Sequence, residues 1–210
     1  MKKIIKLVTP PILIIIFKKV FFNQKRKGIL FGGRDSRLFN ENAYKAKIYG
    51  EYGIGYSTKS VRESSNSIIV ASETNKEYLL NWKTKLALRE NDKLLHINIG
   101  ETEGMGYPKN YSWSYKFIEY FESIWKFDTK PDFVLIDGRF RVACFLTSIL
   151  MSEPGTKILF DDYDREYYHI VENGILPFDK TQTQALFIRP ELVDILQVES
   201  MRDSFSMVML

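Results

Sequence analysis

The sequence lacks the residues that build disulfide frameworks and thiolate or imidazole metal centres. Cys144 is the one cysteine among 210 residues, which excludes a disulfide framework and indicates a reducing, cytoplasmic compartment. His96 and His169 are the two histidines, so a multi-histidine zinc centre is not expected. The remaining composition, with 45% hydrophobic and 27% charged residues, is typical of an ordinary globular domain.

The positive charge is concentrated at one end of the chain. Residues 1–27 carry eight lysines and arginines and no acid, although the whole chain has a net charge of only +4. Residues 28–210 therefore carry a net charge of −4 and form the single domain that the length allows. Nucleic acid is not an expected partner, because binding to phosphates requires a basic face on the domain itself.

The N-terminal segment of residues 1–27 is apolar as well as basic. Lys6, Pro10 and Pro11 interrupt it, so that Ile12–Phe17 is its longest apolar run. A bilayer span needs about 20 apolar residues, and no small-residue cleavage site of a secretory signal follows the run. We expect an amphipathic helix that holds the protein peripherally on the inner face of the cytoplasmic membrane. Docking of this helix on the domain or in a homodimer interface is the alternative, and a signal or anchor is a third.

Beyond residue 27, short β-branched runs alternate with amphipathic stretches. This pattern predicts an α/β fold with a Rossmann-like, doubly wound and mostly parallel sheet. The predicted strands are Ala46–Gly50, Ser67–Ser72, Leu94–Ile99, Asp132–Ile136, Lys157–Phe160 and Ala185–Ile188. The predicted helices are Thr58–Ser64, Lys76–Glu90, Ser114–Ile124, Arg139–Met151, Arg165–Asn173 and a closing helix Glu191–Arg202. Gly100–Tyr111 is an irregular polar insertion, and Cys144 is expected in the core.

A glycine-rich turn follows the first predicted strand. Gly53 and Gly55 let the chain turn sharply and let a ligand approach closely, and the next helix directs its N-terminal amides at that ligand. The dinucleotide motif requires a third glycine, but Thr58 stands in its place, so that motif is not satisfied. The preceding acid, Glu51, is placed to hold a cationic amino group.

A second acid ends the second predicted strand. Glu73 follows Gly55 by 18 residues, which is close to the spacing at which an acid accepts the ribose hydroxyls of an adenosine. A solvated loop acid is the alternative interpretation of Glu73.

Three further acids, Asp137, Asp161 and Asp162, follow the fourth and fifth predicted strands. The carboxyl ends of parallel strands meet at one edge, so these carboxylates are expected to converge there. Such a cluster binds a hard divalent cation or raises a carboxylate pKa for base catalysis. In a third alternative, neighbouring arginines neutralise the cluster as a structural ion-pair network; these are Arg139, Arg141 and Arg165.

Together these stretches resemble the class I methyltransferases that use S-adenosylmethionine, over roughly residues 45–190. The order matches: an acid-G-x-G turn, an acid after the second strand, an aspartate after the fourth and an acidic end of the fifth. Three longer motifs are similar to a bacterial branch associated with surface-polysaccharide genes, namely E-Y-G-x-G-x-S-T, L-I-D-G-R-x-R-V-A-C and D-D-Y-x-R-x-x-Y. They lie in Glu51–Ser60, Leu135–Ala143 and Asp161–His169.

The resemblance implies S-adenosylmethionine as the cofactor and assigns its binding to residues at four strand ends. On the methionine side it places Glu51, Gly53, Gly55 and Ser57. At the ribose it places Glu73, and near the adenine it places Ile99, Gly100 and Glu101. Asp137 completes this set, facing the transferred methyl group and the incoming nucleophile.

The resemblance also implies the catalytic and metal candidates. A hydroxyl nucleophile must lose its proton, so Asp137 or His169 is expected to act as the base. Arg139 is the third catalytic candidate and belongs to the arginine group that suits an acceptor with a phosphate or carboxylate. Asp137, Asp161 and Asp162 form a candidate Mg²⁺ site, as in related sugar and catechol enzymes, although the arginines depart from their pattern.

The predicted function is O-methylation of a sugar nucleotide or glycan precursor in cell-surface polysaccharide synthesis. One alternative is a noncatalytic, degenerate accessory protein at the membrane that keeps the pocket as a scaffold. Another is a Rossmann oxidoreductase or nucleotide-sugar enzyme, which the missing third glycine and Glu51 disfavour. A nucleic-acid methyltransferase is disfavoured by the negative domain and by the lack of an Asn/Asp-Pro-Pro-Tyr/Phe motif.

Overall fold

The computed structural model describes residues 30–209, of which residues 35–209 belong to one compact unit. The helix predicted within residues 1–27 lies outside the described residues. Leu30–Gly33 forms a short 3₁₀ turn that precedes the unit. Within residues 30–209, no helix is both long and apolar enough to cross a membrane.

Nine strands and six α-helices make up the unit. The strands are β1 (Ile48–Tyr52), β2 (Ile68–Glu73), β3 (Lys93–His96), β4 (Thr102–Glu103), β5 (Tyr107–Pro108), β6 (Phe133–Ile136), β7 (Lys157–Asp161), β8 (Asp179–Lys180) and β9 (Gln184–Ile188). The α-helices are α1 (Arg37–Asn42), α2 (Tyr56–Ser64), α3 (Lys76–Lys83), α4 (Phe117–Phe121), α5 (Arg141–Met151) and α6 (Ile195–Phe205). Short 3₁₀ helices cover Ala43–Lys45, Gly104–Gly106, Ser114–Lys116, Ser123–Trp125 and Glu166–Asn173.

Seven strands form one sheet in the order β3-β2-β1-β6-β7-β9-β8. The first five run parallel, while β9 is antiparallel to β7 and β8 is antiparallel to β9. The chain winds outward from β1 through β2 and β3, then returns to the other side of β1 to begin β6. The strand order therefore reverses between β1 and β6, and ligands bind at such a switch point in open α/β sheets. The predicted mostly parallel α/β arrangement is confirmed.

The core surrounds the central strands. All four residues of β6 are buried, as expected for a parallel strand that is covered on both faces. Helix α5 is buried over most of its circumference because it packs against β6, β7 and α6. Cys144, in α5, is fully buried, and burial raises the pKa of its thiol well above the ordinary range. It is therefore a core residue, as predicted.

The largest differences from the predicted bounds occur in three elements. The helix predicted over Lys76–Glu90 ends at Lys83, and the following segment contacts the buried carboxylate of Asp92. Asp92 accepts hydrogen bonds from the backbone nitrogens of Ile69 and Arg89, contacts that helical periodicity does not reveal. The third predicted strand ends at His96, and the closing helix begins at Ile195 instead of Glu191.

Other differences concern irregular segments. The predicted helix Ser114–Ile124 is divided into a 3₁₀ turn, the short helix α4 and a second 3₁₀ turn, and the predicted helix Arg165–Asn173 is a 3₁₀ helix over Glu166–Asn173. The polar insertion contains the antiparallel pair of β4 and β5. Helix α1 and strand β8 were not predicted; the two are joined by an ion pair between Arg37 and Asp179.

Candidate active site at the carboxyl edge of the sheet

The glycine turn after β1 is pressed against the turn after β6. Gly53 has a φ of +92°, and its backbone nitrogen donates to the carbonyl of Ser72 at 2.8 Å. A Cβ at Gly53 would lie 3.3 Å from the carbonyl oxygen of Asp137 and from Gly138. A Cβ at Gly138 would in turn lie 2.9 Å from the nitrogen of Gly53 and would overlap the hydroxyl of Tyr120. The close approach therefore requires glycine on both sides of the switch point.

Glu51 lies beneath this turn in a network of hydroxyls. It is 1% exposed, and its carboxylate accepts hydrogen bonds from the Ser57 hydroxyl and, at 2.6 Å, from the Thr58 hydroxyl. Thr58 Oγ1 also accepts from the nitrogen of Gly55, the residue that caps α2. Thr58 thus links the turn, helix α2 and Glu51 through hydrogen bonds. The sequence motif did not predict this role, because that motif requires a glycine at this position.

Burial changes the ionisation of Glu51. Its pKa is raised from 4.5 to about 8, chiefly by desolvation and also by the nearby charge of Asp137, against the opposing effect of the hydroxyl hydrogen bonds. Glu51 is therefore mostly protonated at pH 7 in this state. A cationic group bound beside it would favour the ionised carboxylate.

Glu73 ends β2 and is covered by the insertion. Its Oε1 accepts hydrogen bonds from the backbone nitrogens of Thr74 and Asn75, each at 2.8 Å, and burial raises its pKa. The hydroxyl of Thr74 donates to the carbonyl of Gly106 at 2.9 Å, and a Cβ at Gly106 would lie 3.3 Å from Glu73 Oε1. At 8% exposure, Glu73 is not the solvated loop acid that the alternative interpretation described.

The residues predicted near the adenine separate into two groups. Ile99 is 1% exposed, and Gly100 has a φ of +96° and lies directly under the ring of Trp113. Glu101 instead points outward and pairs with Lys109 of the same insertion at 2.9 Å, which lowers the pKa of Glu101. Ile99 and Gly100 therefore border the edge of the sheet, while the carboxylate of Glu101 is engaged within the insertion.

The three aspartates after β6 and β7 do converge, with ligand atoms that all lie within 4.8 Å of one another. Arg141 lies between them: its Nη2 is 2.9 Å from Asp137 Oδ1 and 3.1 Å from Asp162 Oδ2. Arg165 contacts the same Asp162 oxygen at 2.8 Å. Asp161 Oδ1 accepts from the side-chain amide of Gln184, and Arg141 Nη1 donates to the Asp161 carbonyl at 2.6 Å.

These contacts do not fit a divalent cation. A cation among the carboxylates would have to displace Arg141, whose side chain is 3% exposed and is held by the carbonyls of Gly138 and Asp161. The predicted Mg²⁺ site at Asp137, Asp161 and Asp162 is therefore not supported. Asp137 and Asp162 instead form an ion-pair network with Arg141 and Arg165. This agrees with the third alternative from the sequence for these two arginines and not for Arg139.

The two remaining catalytic candidates occupy different surroundings. His169 Nε2 lies 2.9 Å from the carbonyl of Tyr163, and the two rings lie 4.8 Å apart, within the segment that follows β7. Arg139 is 7% exposed, and its guanidinium stacks on the ring of Tyr107 with 4.1 Å between guanidinium carbon and ring centroid. The insertion and the turn after β6 therefore meet at Arg139, a contact that no residue pattern predicted.

Comparison with known proteins gives matches in structure and none in sequence. No family model matches the chain, and no curated protein sequence matches it. The structure is similar to a methyltransferase-like protein from Silicibacter pomeroyi, with a TM-score of 0.73 and 22% identity over 85% of this chain and 96% of the other. Two further similarities are to an N-methyltransferase, NodS, from Bradyrhizobium japonicum in complex with S-adenosyl-L-homocysteine (TM-score 0.47, 11% identity, 89% and 91% covered) and to an O-methyltransferase from Bacillus cereus (0.42, 18%, 78% and 62%). The first similarity shows that the chain has the Rossmann-like fold of the methyltransferases, as the sequence predicts.

Proposed function

We propose that the protein transfers a methyl group from S-adenosylmethionine. The observation that carries this proposal is the packing of Gly53 against Gly138 at the switch point of a methyltransferase fold. The glycine turn lies between Glu73, which ends β2, and Asp137, which follows β6. Helix α2 begins directly after this turn. This arrangement brings the backbones of the two turns together at the switch point, which is where ligands bind in open α/β sheets.

Each site residue then has a distinct role. When bound, the cofactor supplies an electrophilic methyl group attached to a cationic sulfonium. Glu51 stabilises the amino group of its methionine part, since a cation beside this carboxyl favours ionisation. Glu73 accepts the ribose hydroxyls, and Ile99 and Gly100 border the adenine.

Asp137 is the residue that we assign to the acceptor. Its side chain is one-third exposed, and Arg141 holds one of its oxygens at 2.9 Å. This contact fixes the orientation of the carboxylate, so that Asp137 is positioned to take the proton of an attacking hydroxyl. Catalysis would otherwise consist of alignment and exclusion of water, since the displacement needs no covalent intermediate on the protein.

The acceptor class rests on the resemblance of the three longer motifs to the polysaccharide-associated branch. We propose that the acceptor is a sugar nucleotide or a glycan precursor, and that residues 1–27 hold the protein on the anionic inner leaflet where such precursors are assembled. Co-sedimentation with vesicles containing anionic lipid tests the second part. Retention of the full chain, and loss of retention in a chain that begins at residue 28, is the expected result.

A noncatalytic accessory protein is the second candidate, and one observation favours it. Glu51 is satisfied by hydroxyls of its own chain and is almost completely buried, as expected for a structural residue. Such a protein would keep the fold without binding the cofactor.

Isothermal titration with S-adenosylhomocysteine separates the two candidates. We expect binding by the wild type and a loss of at least about ten-fold in affinity in Gly53→Val, whose side chain would meet Gly138. Gly155→Val is the matched control, because Gly155 also has a positive φ but faces open space. Absence of binding at millimolar ligand would favour the accessory protein. Transfer of labelled methyl to soluble sugar nucleotides or to lipid-linked glycan then identifies the acceptor, and labelling of neither would remove the glycan assignment.

A further inference from the structure

One buried arginine beside the proposed site has no counter-charge among residues 30–209. Arg62, Arg139 and Arg141 are the buried arginines of residues 30–209. Arg62 pairs with Asp92 at 2.7 Å, and Arg141 pairs with two aspartates. Within residues 30–209, Arg139 forms neither an ion pair nor a side-chain hydrogen bond, although it is only 7% exposed. A guanidinium removed from water without a counter-charge is strongly unfavourable, so its surroundings suit an anion from outside the chain.

The contact with Tyr107 orients the guanidinium of Arg139 in a way that suits the binding of an anion. The ring covers one face of the guanidinium at 4.1 Å, which fixes the plane of the group. The N–H donors lie in that plane and point away from the stack, in a geometry that matches two oxygens of a carboxylate or phosphate. Tyr107 is itself held in place, because Thr74 donates a hydrogen bond to the carbonyl of the adjacent Gly106.

The backbone of Arg139 contacts the face of the sheet opposite to Glu51, which lies at the proposed methionine end of the cofactor. The backbone nitrogen of Arg139 donates to the hydroxyl of Tyr120, whose ring packs 5.7 Å from that of Tyr52. Successive residues of a strand point to opposite faces, so Glu51 lies on the other face of the sheet from Tyr52. The backbone of Arg139 therefore contacts a ring on the Tyr52 face, whereas Glu51 and its hydroxyl partners lie on the other face.

We propose that Arg139, oriented by Tyr107, binds the carboxylate or phosphate of an acidic sugar acceptor. This inference rests on the proposed function and adds the chemical class of the acceptor. Arg141 and Arg165 do not share the role, because the aspartates after β6 and β7 already neutralise them.

The test compares sugars that differ in charge but share a ring. Glucuronic acid, glucose 1-phosphate and glucose are titrated into the full-length wild type and into Arg139→Gln, with and without S-adenosylhomocysteine. Arg202→Gln is the matched control, since Arg202 is an arginine of α6 that pairs with the adjacent Asp203. We expect the wild type and the control to prefer at least one acidic sugar over glucose by about ten-fold, and Arg139→Gln to lose that preference.

Stability and cofactor affinity distinguish this role from a structural one. Removal of an unpaired buried charge is expected to leave the melting temperature of Arg139→Gln unchanged or higher, whereas a structural role would lower it. Affinity for S-adenosylhomocysteine is expected to stay within about two-fold of the wild type. A loss of that affinity, an unchanged preference in Arg139→Gln, or no preference in the wild type would each overturn the inference. A wild type that prefers acidic sugars but does not bind S-adenosylhomocysteine would refute the proposed function and leave the anion site standing.

Discussion

Two groups of buried carboxyls stand at the same edge of the sheet, and they are stabilised in opposite ways. Glu51 is surrounded by the hydroxyls of Ser57 and Thr58, and desolvation raises its pKa to about 8. Asp162 is buried to a similar degree but contacts two guanidiniums, those of Arg141 and Arg165. Hydroxyls satisfy the hydrogen bonds of a buried carboxyl without compensating its charge, whereas arginine does both. The first group can therefore change its charge when a ligand binds, and the second is a fixed ionic framework.

The largest expected effect on stability follows from removing Arg141, the cation that contacts both Asp137 and Asp162. We expect Arg141→Met to lower the free energy of unfolding by about 3–5 kcal/mol, because it leaves Asp137 and Asp162 facing each other without Arg141. Arg165→Met is the matched control: its side chain is 41% exposed, so the expected loss is below about 1 kcal/mol. Urea denaturation at pH 7 measures the free energy of unfolding of both variants. Equal losses in the two variants would contradict the distinction between a buried framework and a surface pair.

An effect of comparable size, which depends on pH, is expected from Glu51. Its pKa is raised in the folded state, so the folded protein binds more protons than the unfolded chain between about pH 4.5 and 8. Its contribution to stability is complete below that range and is lost as the pH rises through about 8, with a slope of up to about 1.4 kcal/mol per pH unit.

Glu51→Gln isolates this contribution, since glutamine keeps the shape of the side chain and cannot titrate. The difference in unfolding free energy between wild type and Glu51→Gln is expected to fall steadily from pH 5 to pH 8, where the variant becomes relatively more stable. A difference that stays constant over this range would show that Glu51 is already ionised in the folded protein. The Asp162 framework does not affect the comparison, because it is present in both proteins.

The sequence was sufficient to predict where the acids lie. Asp137, Asp161 and Glu73 each follow a short run of apolar residues, and such runs form strands whose carboxyl ends meet at one edge. Their convergence follows from the strand order alone. The positions of Gly53, Gly55 and Glu51 at this edge could be predicted in the same way.

The sequence was not sufficient to predict which arginine neutralises the acids. Arg139 lies in the turn before α5 and Arg141 is the first residue of that helix. Their directions depend on Phe140 between them, which adopts the left-handed conformation with a φ of +53°. This local geometry directs Arg141 toward Asp137 and Asp162, and Arg139 toward the ring of Tyr107. Neither residue type nor spacing encodes that choice, since a bulky residue adopts positive φ only when its surroundings impose it. The same reasoning explains why the Mg²⁺ prediction was not supported.

The smallest expected effect concerns one hydroxyl of the Glu51 group. Thr58→Val keeps the shape of the side chain and removes the hydroxyl that accepts from Gly55 and donates to Glu51. We expect a loss of about 1–2 kcal/mol at pH 5, because a buried carboxyl oxygen and the amide that caps α2 both lose a partner. Thr84→Val is the control, since its hydroxyl donates to the exposed Asn81 carbonyl and its loss is expected to stay below about 0.5 kcal/mol. The Thr58 hydroxyl also lowers the pKa of Glu51, so Thr58→Val should extend the pH-dependent loss of stability beyond pH 8. An unchanged upper limit of that range would mean that burial alone determines the ionisation of Glu51, and that the hydroxyls serve only to position it.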